Sequence, residues 1–271
     1  MSGEALAAPA LSDGDFGALS ASFEALDRAA LIAHIEALAR TDAVIARCLD
    51  ASRTGVFKHP DGRTDALLDV RMSPAQLGLL SLLAAQCPRP ASVEFGFGMG
   101  SSTTTILATR RRAREPFKHI VFDATGLAGR GEVVQSFLID EFGPAFERRY
   151  LRSEIGGPAL VSEAGAGSCG LVFLDGCHRF ENVMADFVAA DLLCCLGGFV
   201  VLDDVLAPAV ECAVNYIARN RPDYALFNFE AESLVVLQKI SPDEREWSDF
   251  RPFEAPARSN WELKTPSLVR A

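Results

Sequence analysis

The chain has 271 residues, 49% hydrophobic and 23% charged, with 21 glycines and 14 prolines. These values exclude a collagen-like, low-complexity or disordered chain and leave room for one large domain, or for one domain with an appendage. Lys+Arg 26 against Asp+Glu 36 gives a net charge of −10, which argues against a nucleic-acid partner, because such binding needs a positive surface.

No apolar run approaches the ~20 residues that span a bilayer, so no membrane partner is expected. Residues 1–20 carry Glu4, Asp13 and Asp15 and no basic n-region, unlike a secretory leader. The seven cysteines are scattered apart from the adjacent Cys194 and Cys195 and match no zinc spacing. They read as buried, reduced small hydrophobes, and a cytoplasmic location is expected.

In chain order, residues 1–17 are rich in Ala, Gly, Ser and Asp and read as a flexible start. Residues 18–39 place Phe23, Leu26, Leu31, Ile35 and Leu38 at helical spacing, and a short second helix holds Val44, Ile45, Cys48 and Leu49. A polar loop is predicted over 54–63, with a turn at Pro60-Asp61-Gly62. Ser73-Pro74-Ala75-Gln76 is a helix start: Ser73 caps, Pro74 suits the first position and Gln76 completes a capping box. That helix runs to about Gln86, before Pro88 and Pro90.

From Ala91 strands alternate with helices. Strands are predicted at 91–95, 119–123, 170–175 and 199–203, and helices from Ser101, over 132–142, over 180–196 and over 211–220. Gly197-Gly198 is taken to end the third of these helices, and the Arg110–Arg114 run reads as a solvated helix end. Strands at 224–229 and 233–238 close the pattern as a hairpin. The order implies an α/β fold, a largely parallel sheet covered by helices on both faces with one antiparallel strand. The tail, 241–271, is irregular and holds Trp247, Phe250, Phe253 and Trp261, which can dock on the domain, close the active site or make a homo-oligomer contact.

Glu94-Phe95-Gly96-Phe97-Gly98-Met99-Gly100-Ser101-Ser102 links a strand to a helix. Alternate glycines let the backbone turn sharply and approach a ligand, and the helix start offers free N–H groups. A dinucleotide fingerprint needs glycine at position 101, where Ser101 stands. The observed spacing, preceded by an acid, resembles motif I of the class I S-adenosylmethionine-dependent methyltransferases. That resemblance implies a cofactor site at Glu94, Gly96, Gly98, Gly100, Ser101 and Ser102, with Glu94 at the amino-acid end of S-adenosyl-L-methionine. Asp123, closing the next strand, can hold two ribose hydroxyls, since a carboxylate accepts from both; the alternative is a solvated strand end.

Asp175, Asp203 and Asp204 lie at the carboxyl ends of predicted parallel strands, the edge where open α/β sheets bind ligands. Like charges converging there repel, and a hard divalent ion, most simply Mg²⁺, relieves them. The alternative is that these acids cap helices or face solvent. Asp175-Gly176-Cys177-His178-Arg179-Phe180 and Gly197-Gly198 through Asp203-Asp204 resemble the methyltransferases related to macrocin O-methyltransferase and the cephalosporin hydroxylase-type proteins, and more distantly catechol O-methyltransferase. In this branch tyrosine is usual where Phe180 stands. The likeness covers residues 73–240. It implies a seven-stranded, doubly wound Rossmann-like core, with residues 18–72 as a helical cap that selects a small-molecule acceptor. It also implies metal ligands at Asp175, Asp203 and Asp204. His178, where catechol-type enzymes place a lysine, is chemically suited as general base; metal ligation or helix capping are its other roles. The implied activity is methyl transfer to a hydroxyl. Metal-independent transfer, a non-catalytic binding protein and a nicotinamide-dependent oxidoreductase are the competing readings, the last opposed by Ser101 and by the lack of a Tyr-x-x-x-Lys pair.

Overall fold

A computed structural model describes residues 26–67, 71–113, 115–124, 131–229 and 232–254. Helices α1 (Arg28–Ala39) and α2 (Ala43–Thr54) lead into a short hairpin of β1 (Val56–Lys58) and β2 (Thr64–Ala66), then α3 (Pro74–Gln86). The alternating unit follows as β3 (Ala91–Phe95), α4 (Ser101–Arg112), β4 (Lys118–Phe122), α5 (Glu132–Phe142), β5 (Phe146–Arg149), α6 (Ser153–Ala164), β6 (Cys169–Leu174), α7 (Phe180–Leu193), β7 (Cys194–Leu202), α8 (Pro208–Asn220), β8 (Tyr224–Phe229) and β9 (Leu234–Lys239). Of the helix predicted over 18–39, residues 18–25 lie outside the described residues, and it starts at Arg28, after the Asp27 cap.

Seven strands form one sheet in the order β5-β4-β3-β6-β7-β9-β8, with β9 antiparallel to both neighbours and the other pairs parallel. Two apolar cores cover its faces. Leu171 and Phe173 of β6 point into the core shared with α1–α5, while Val172 and Leu174 point into the core under α6–α8. This strand alternation is what buries both faces. The chain leaves β3 toward β4 and β5 and then returns to β6, so the sheet reverses its winding between β3 and β6, where such sheets open a crevice.

Three local expectations are corrected. The stretch over 54–63 is not loop throughout: Pro60–Gly62 forms the tip of the β1–β2 hairpin, closed by His59 N–H to Arg63 O at 2.8 Å. Gly197-Gly198 does not end α7, which stops at Leu193; both glycines lie within β7, where a Cβ at 198 would come 2.9 Å from Cys194 Sγ. Arg110 is not solvated: it is buried, with its guanidinium donating to the main-chain oxygens of Ala84, Cys87 and Arg89.

Within the alternating unit, two elements had no sequence signal, β5 and α6. Gly156-Gly157-Pro158 reads as helix-breaking, yet it lies inside α6. The glycines let that helix approach both the sheet and α7, since a Cβ at 156 would fall 2.2 Å from the Phe122 ring of β4 and one at 157 would fall 2.8 Å from Ala189 Cβ of α7. Among the described residues, no helix is long and apolar enough to cross a membrane.

The sheet ladder continues one residue past the carboxyl ends of the strands. Asp123 N–H bonds Arg149 O (3.1 Å), Gly96 N–H bonds Phe122 O (2.8 Å), Asp175 N–H bonds Phe95 O (2.9 Å) and Asp203 N–H bonds Leu174 O (3.0 Å). These rungs set Asp123, Gly96, Asp175 and Asp203 in one row along the edge of β4, β3, β6 and β7.

Candidate active site

The glycine turn follows β3, and its three glycines, all with positive φ, do different work. At Gly96 (φ +100°) a Cβ would lie 2.0 Å from Asp175 main-chain O, so this glycine lets the β3 and β6 loops touch. Gly100 (φ +73°) starts α4 beneath the Phe97 ring, 2.8 Å from where its Cβ would stand. At Gly98 (φ +49°) nothing lies within 4 Å of a Cβ, so this glycine alone faces open space.

Glu94 sits one layer under the turn and is fully buried. Its carboxylate accepts from Ser102 Oγ, from Thr103 Oγ1 at 2.7 Å and from His119 Nε2 at 3.0 Å. With Nε2 donating, His119 Nδ1 accepts the Ser92 hydroxyl at 2.8 Å. A buried carboxylate needs such partners, and this network ties β3, β4 and the first turn of α4 together. His119 showed no such context in the sequence, because its partners lie 25 and 27 residues away.

Asp123 accepts from Phe97 N–H at 3.3 Å and pairs with Arg148 at 3.2 Å. Arg148 is itself sandwiched between Phe97 and Tyr150, 4.3 and 4.9 Å from their ring centres. β5, the strand without a sequence signal, therefore supplies the partner of the predicted ribose-binding acid.

Beside the turn, a pocket of about 240 Å³ is bounded by Gly98, Met99, Ser101 and Ser102 on the glycine turn and the start of α4 and by Asp175, His178, Asp203 and Asp204 on the β6 and β7 loops. Arg71, Met72 and Gln76 complete it from the start of α3. Glu94, Gly96, Gly100 and Asp123 do not line it; they support its walls or flank it.

Asp175, His178 and Asp204 each place a ligand atom within 4.8 Å of the others. His178 Nε2 stands 3.2 Å from Asp204 Oδ2 and 3.9 Å from Asp175 Oδ1. Asp204 reaches this position from a left-handed backbone, φ +53°, strained for a non-glycine residue. Asp203, grouped in the sequence with the other two acids, stands apart from this triad. It is buried, and its Oδ1 accepts Asp204 N–H at 2.7 Å and Gln76 Nε2 at 3.3 Å.

Enclosure raises the Asp175 and Asp203 carboxyls above the usual range; the charges of Glu94 and Asp204 add to the rise at Asp175, and those of Asp175 and Asp204 to that at Asp203. Asp175 and Asp204 in turn raise the basicity of His178. Two carboxylates that repel, with an imidazole between, form a donor set that fits a divalent cation. Gln76, Arg71 and Met72 were not singled out as site residues in the sequence. Gln76 could be read only as a helix cap, and the box is present, with Ser73 N–H donating to Gln76 Oε1 at 2.7 Å.

Residues 93–205 match the family model described as a methyltransferase domain, a span running from β3 to just past Asp204. No protein of the curated set matches the chain. Among solved structures, a protein from Corynebacterium glutamicum superposes with a TM-score of 0.54 at 18% identity, covering 85% of this chain and 99% of that one, and so shares the fold. CalS11, a TDP-rhamnose 3′-O-methyltransferase of calicheamicin biosynthesis, gives 0.49 at 16% identity over 60% of this chain and 78% of its own.

Proposed function

With residues 93–205 carrying a methyltransferase domain on a seven-stranded class I sheet, we propose that the protein transfers the methyl group of S-adenosylmethionine to a hydroxyl of a small molecule, assisted by a divalent cation. One observation carries this reading: a single pocket joins the open glycine of the cofactor turn, Gly98, to the Asp175, His178 and Asp204 cluster.

The cofactor supplies an activated methyl carbon on a sulfonium sulfur. Gly98 offers backbone without a side chain, Ser101 and Ser102 open α4 beside it, and the Glu94 network keeps that turn rigid. The Asp123 carboxylate, oriented by Arg148, is the candidate for the ribose hydroxyls. The protein's task is to hold acceptor oxygen, methyl carbon and sulfur in line.

Asp175 and Asp204 would hold the cation, with Asp203 behind them fixing the Asp204 backbone. When bound, a divalent cation lowers the pKa of a hydroxyl it contacts. Mg²⁺ prefers oxygen donors alone, and an imidazole in the set also suits Mn²⁺ or Zn²⁺. His178, made more basic by Asp175 and Asp204, takes the proton of the acceptor hydroxyl.

Calorimetry with S-adenosylhomocysteine and with NAD tests the cofactor: saturable binding of the first and none of the second is expected, and the reverse overturns the reading. Asp203 favours a second reading, transfer without metal, because its Oδ1 is spent on Gln76 and the Asp204 backbone. Elemental analysis and turnover after chelation decide between the two.

A further inference from the structure

The pocket floor is acidic, yet an arginine lines its wall. Arg71 lines the same space as Asp175, Asp203 and Asp204 and is exposed to solvent. Its backbone is held close to α2, because Ser52 Oγ donates to Met72 O at 2.6 Å and Leu67 N–H donates to Gly55 O at 2.7 Å on either side of it. Its Nη1 rests over Gly55, the cap of α2, 3.2 Å from where a Cβ would stand.

Among the described residues no carboxylate forms an ion pair with Arg71; Asp204 is engaged by His178 instead. Acids are in excess in this chain, 36 against 26 basic residues, so partners are not scarce. Other arginines take them: Arg148 pairs with Asp123 (3.2 Å), Arg149 with Glu163 (2.8 Å) and Arg221 with Asp223 (2.6 Å). A guanidinium presents paired donors that match a carboxylate or phosphate. An anion entering a pocket walled by three carboxylates is repelled unless a cation meets it.

We propose that Arg71 is the anion receptor of this pocket, binding a carboxylate or phosphate of a ligand that also reaches the glycine turn and the acid cluster. The inference deepens the methyltransferase reading and rests on it. The anion has two possible sources, the methionine carboxylate of the cofactor or an anionic group on the acceptor, and the experiment separates them.

The full chain and its Arg71→Gln variant, with folding checked by thermal unfolding, are titrated with S-adenosylhomocysteine and with 5′-methylthioadenosine, which keeps the adenosine and thioether but lacks the carboxylate. Inorganic pyrophosphate is then titrated into both proteins, free and saturated with S-adenosylhomocysteine. If the cofactor supplies the anion, Arg71→Gln weakens S-adenosylhomocysteine about tenfold or more and leaves 5′-methylthioadenosine unchanged. If the acceptor supplies it, S-adenosylhomocysteine binds both proteins alike, while saturable pyrophosphate binding to the wild-type complex disappears in the variant. Equal S-adenosylhomocysteine affinities together with pyrophosphate binding that is absent or identical in the two proteins overturn the proposal, as does equal weakening of both nucleosides. If S-adenosylhomocysteine fails to bind wild type, the methyltransferase reading falls, and pyrophosphate on the free proteins still decides the role of Arg71.

Discussion

Gln76 and Asp203, 127 residues apart, meet at 3.3 Å, the Gln76 Nε2 donating to Asp203 Oδ1. The same amide donates to Glu232 main-chain O at 2.9 Å, and its oxygen accepts Ser73 N–H. One side chain thus caps α3, ties it to the segment before β9 and steadies the acid behind the site. Gln76→Ala loses all three bonds and leaves a buried carboxylate with fewer donors, so urea unfolding should show a loss of about 1–3 kcal/mol. Gln76→Glu keeps a competent capping residue but faces Asp203 with a like charge. It should be less stable than wild type at pH 8 and recover toward it in acid, where the pair shares protons. Wild-type stability of Gln76→Glu at pH 8 would count against the contact.

The glycines of the turn should separate folding from binding. Gly96→Ala puts a Cβ 2.0 Å from Asp175 O at φ +100° and should cost about 3 kcal/mol or more. At Gly98 a Cβ meets no atom within 4 Å, so the cost of adding it in Gly98→Val is that of the left-handed backbone, about 2 kcal/mol. That variant should fold and lose S-adenosylhomocysteine affinity sharply. Thermal unfolding and calorimetry on both variants check this, and a folded Gly98→Val protein with wild-type affinity would remove Gly98 from the cofactor site.

Asp186 predicts how stability depends on pH. It is buried under the β6 loop; Oδ2 accepts Ser153 Oγ at 3.0 Å, while Oδ1 has no partner. Burial pushes its carboxyl up to about 7, with the Glu154 charge adding. The folded state therefore holds a proton that the unfolded state, near 3.8, releases. The resulting penalty is absent below the unfolded value, grows between the two and is complete above about pH 7. Asp186→Asn should raise stability at pH 8 by about 1–3 kcal/mol and change it little at pH 4. A variant less stable than wild type at pH 8 would show that the ionised form is the one the fold prefers.

His178→Ala should lower turnover roughly 10²–10⁴-fold, the usual contribution of a positioned base, and keep S-adenosylhomocysteine affinity, since no residue of the glycine turn is altered. Metal content of the purified variant distinguishes base from ligand. Retained metal with lost turnover fits the base, whereas loss of both would make the imidazole a ligand.

Much of the fold and part of the site were legible because their signals are local. The Ser73–Gln76 box, the alternate glycines at 96, 98 and 100, and the acids closing β6 and β7 each depend on a few neighbouring residues with fixed backbone chemistry. Strand and helix periodicity likewise exposes which face is apolar. What remained hidden depends on partners distant in the chain. Gly156 and Gly198 look like breakers until the Phe122 ring and Cys194 show what they make room for. Asp203 looks equivalent to Asp204 until Gln76 claims one of its oxygens, and Glu94 looks exposed to a ligand until Ser102, Thr103 and His119 enclose it. Local chain chemistry alone places the acids and glycines at the carboxyl edge of the sheet, since strand ends and turns are set by neighbouring residues. Which of them face the pocket and which are satisfied inside is set by packing, because burial and hydrogen-bond pairing are settled between segments that meet only when the sheet closes.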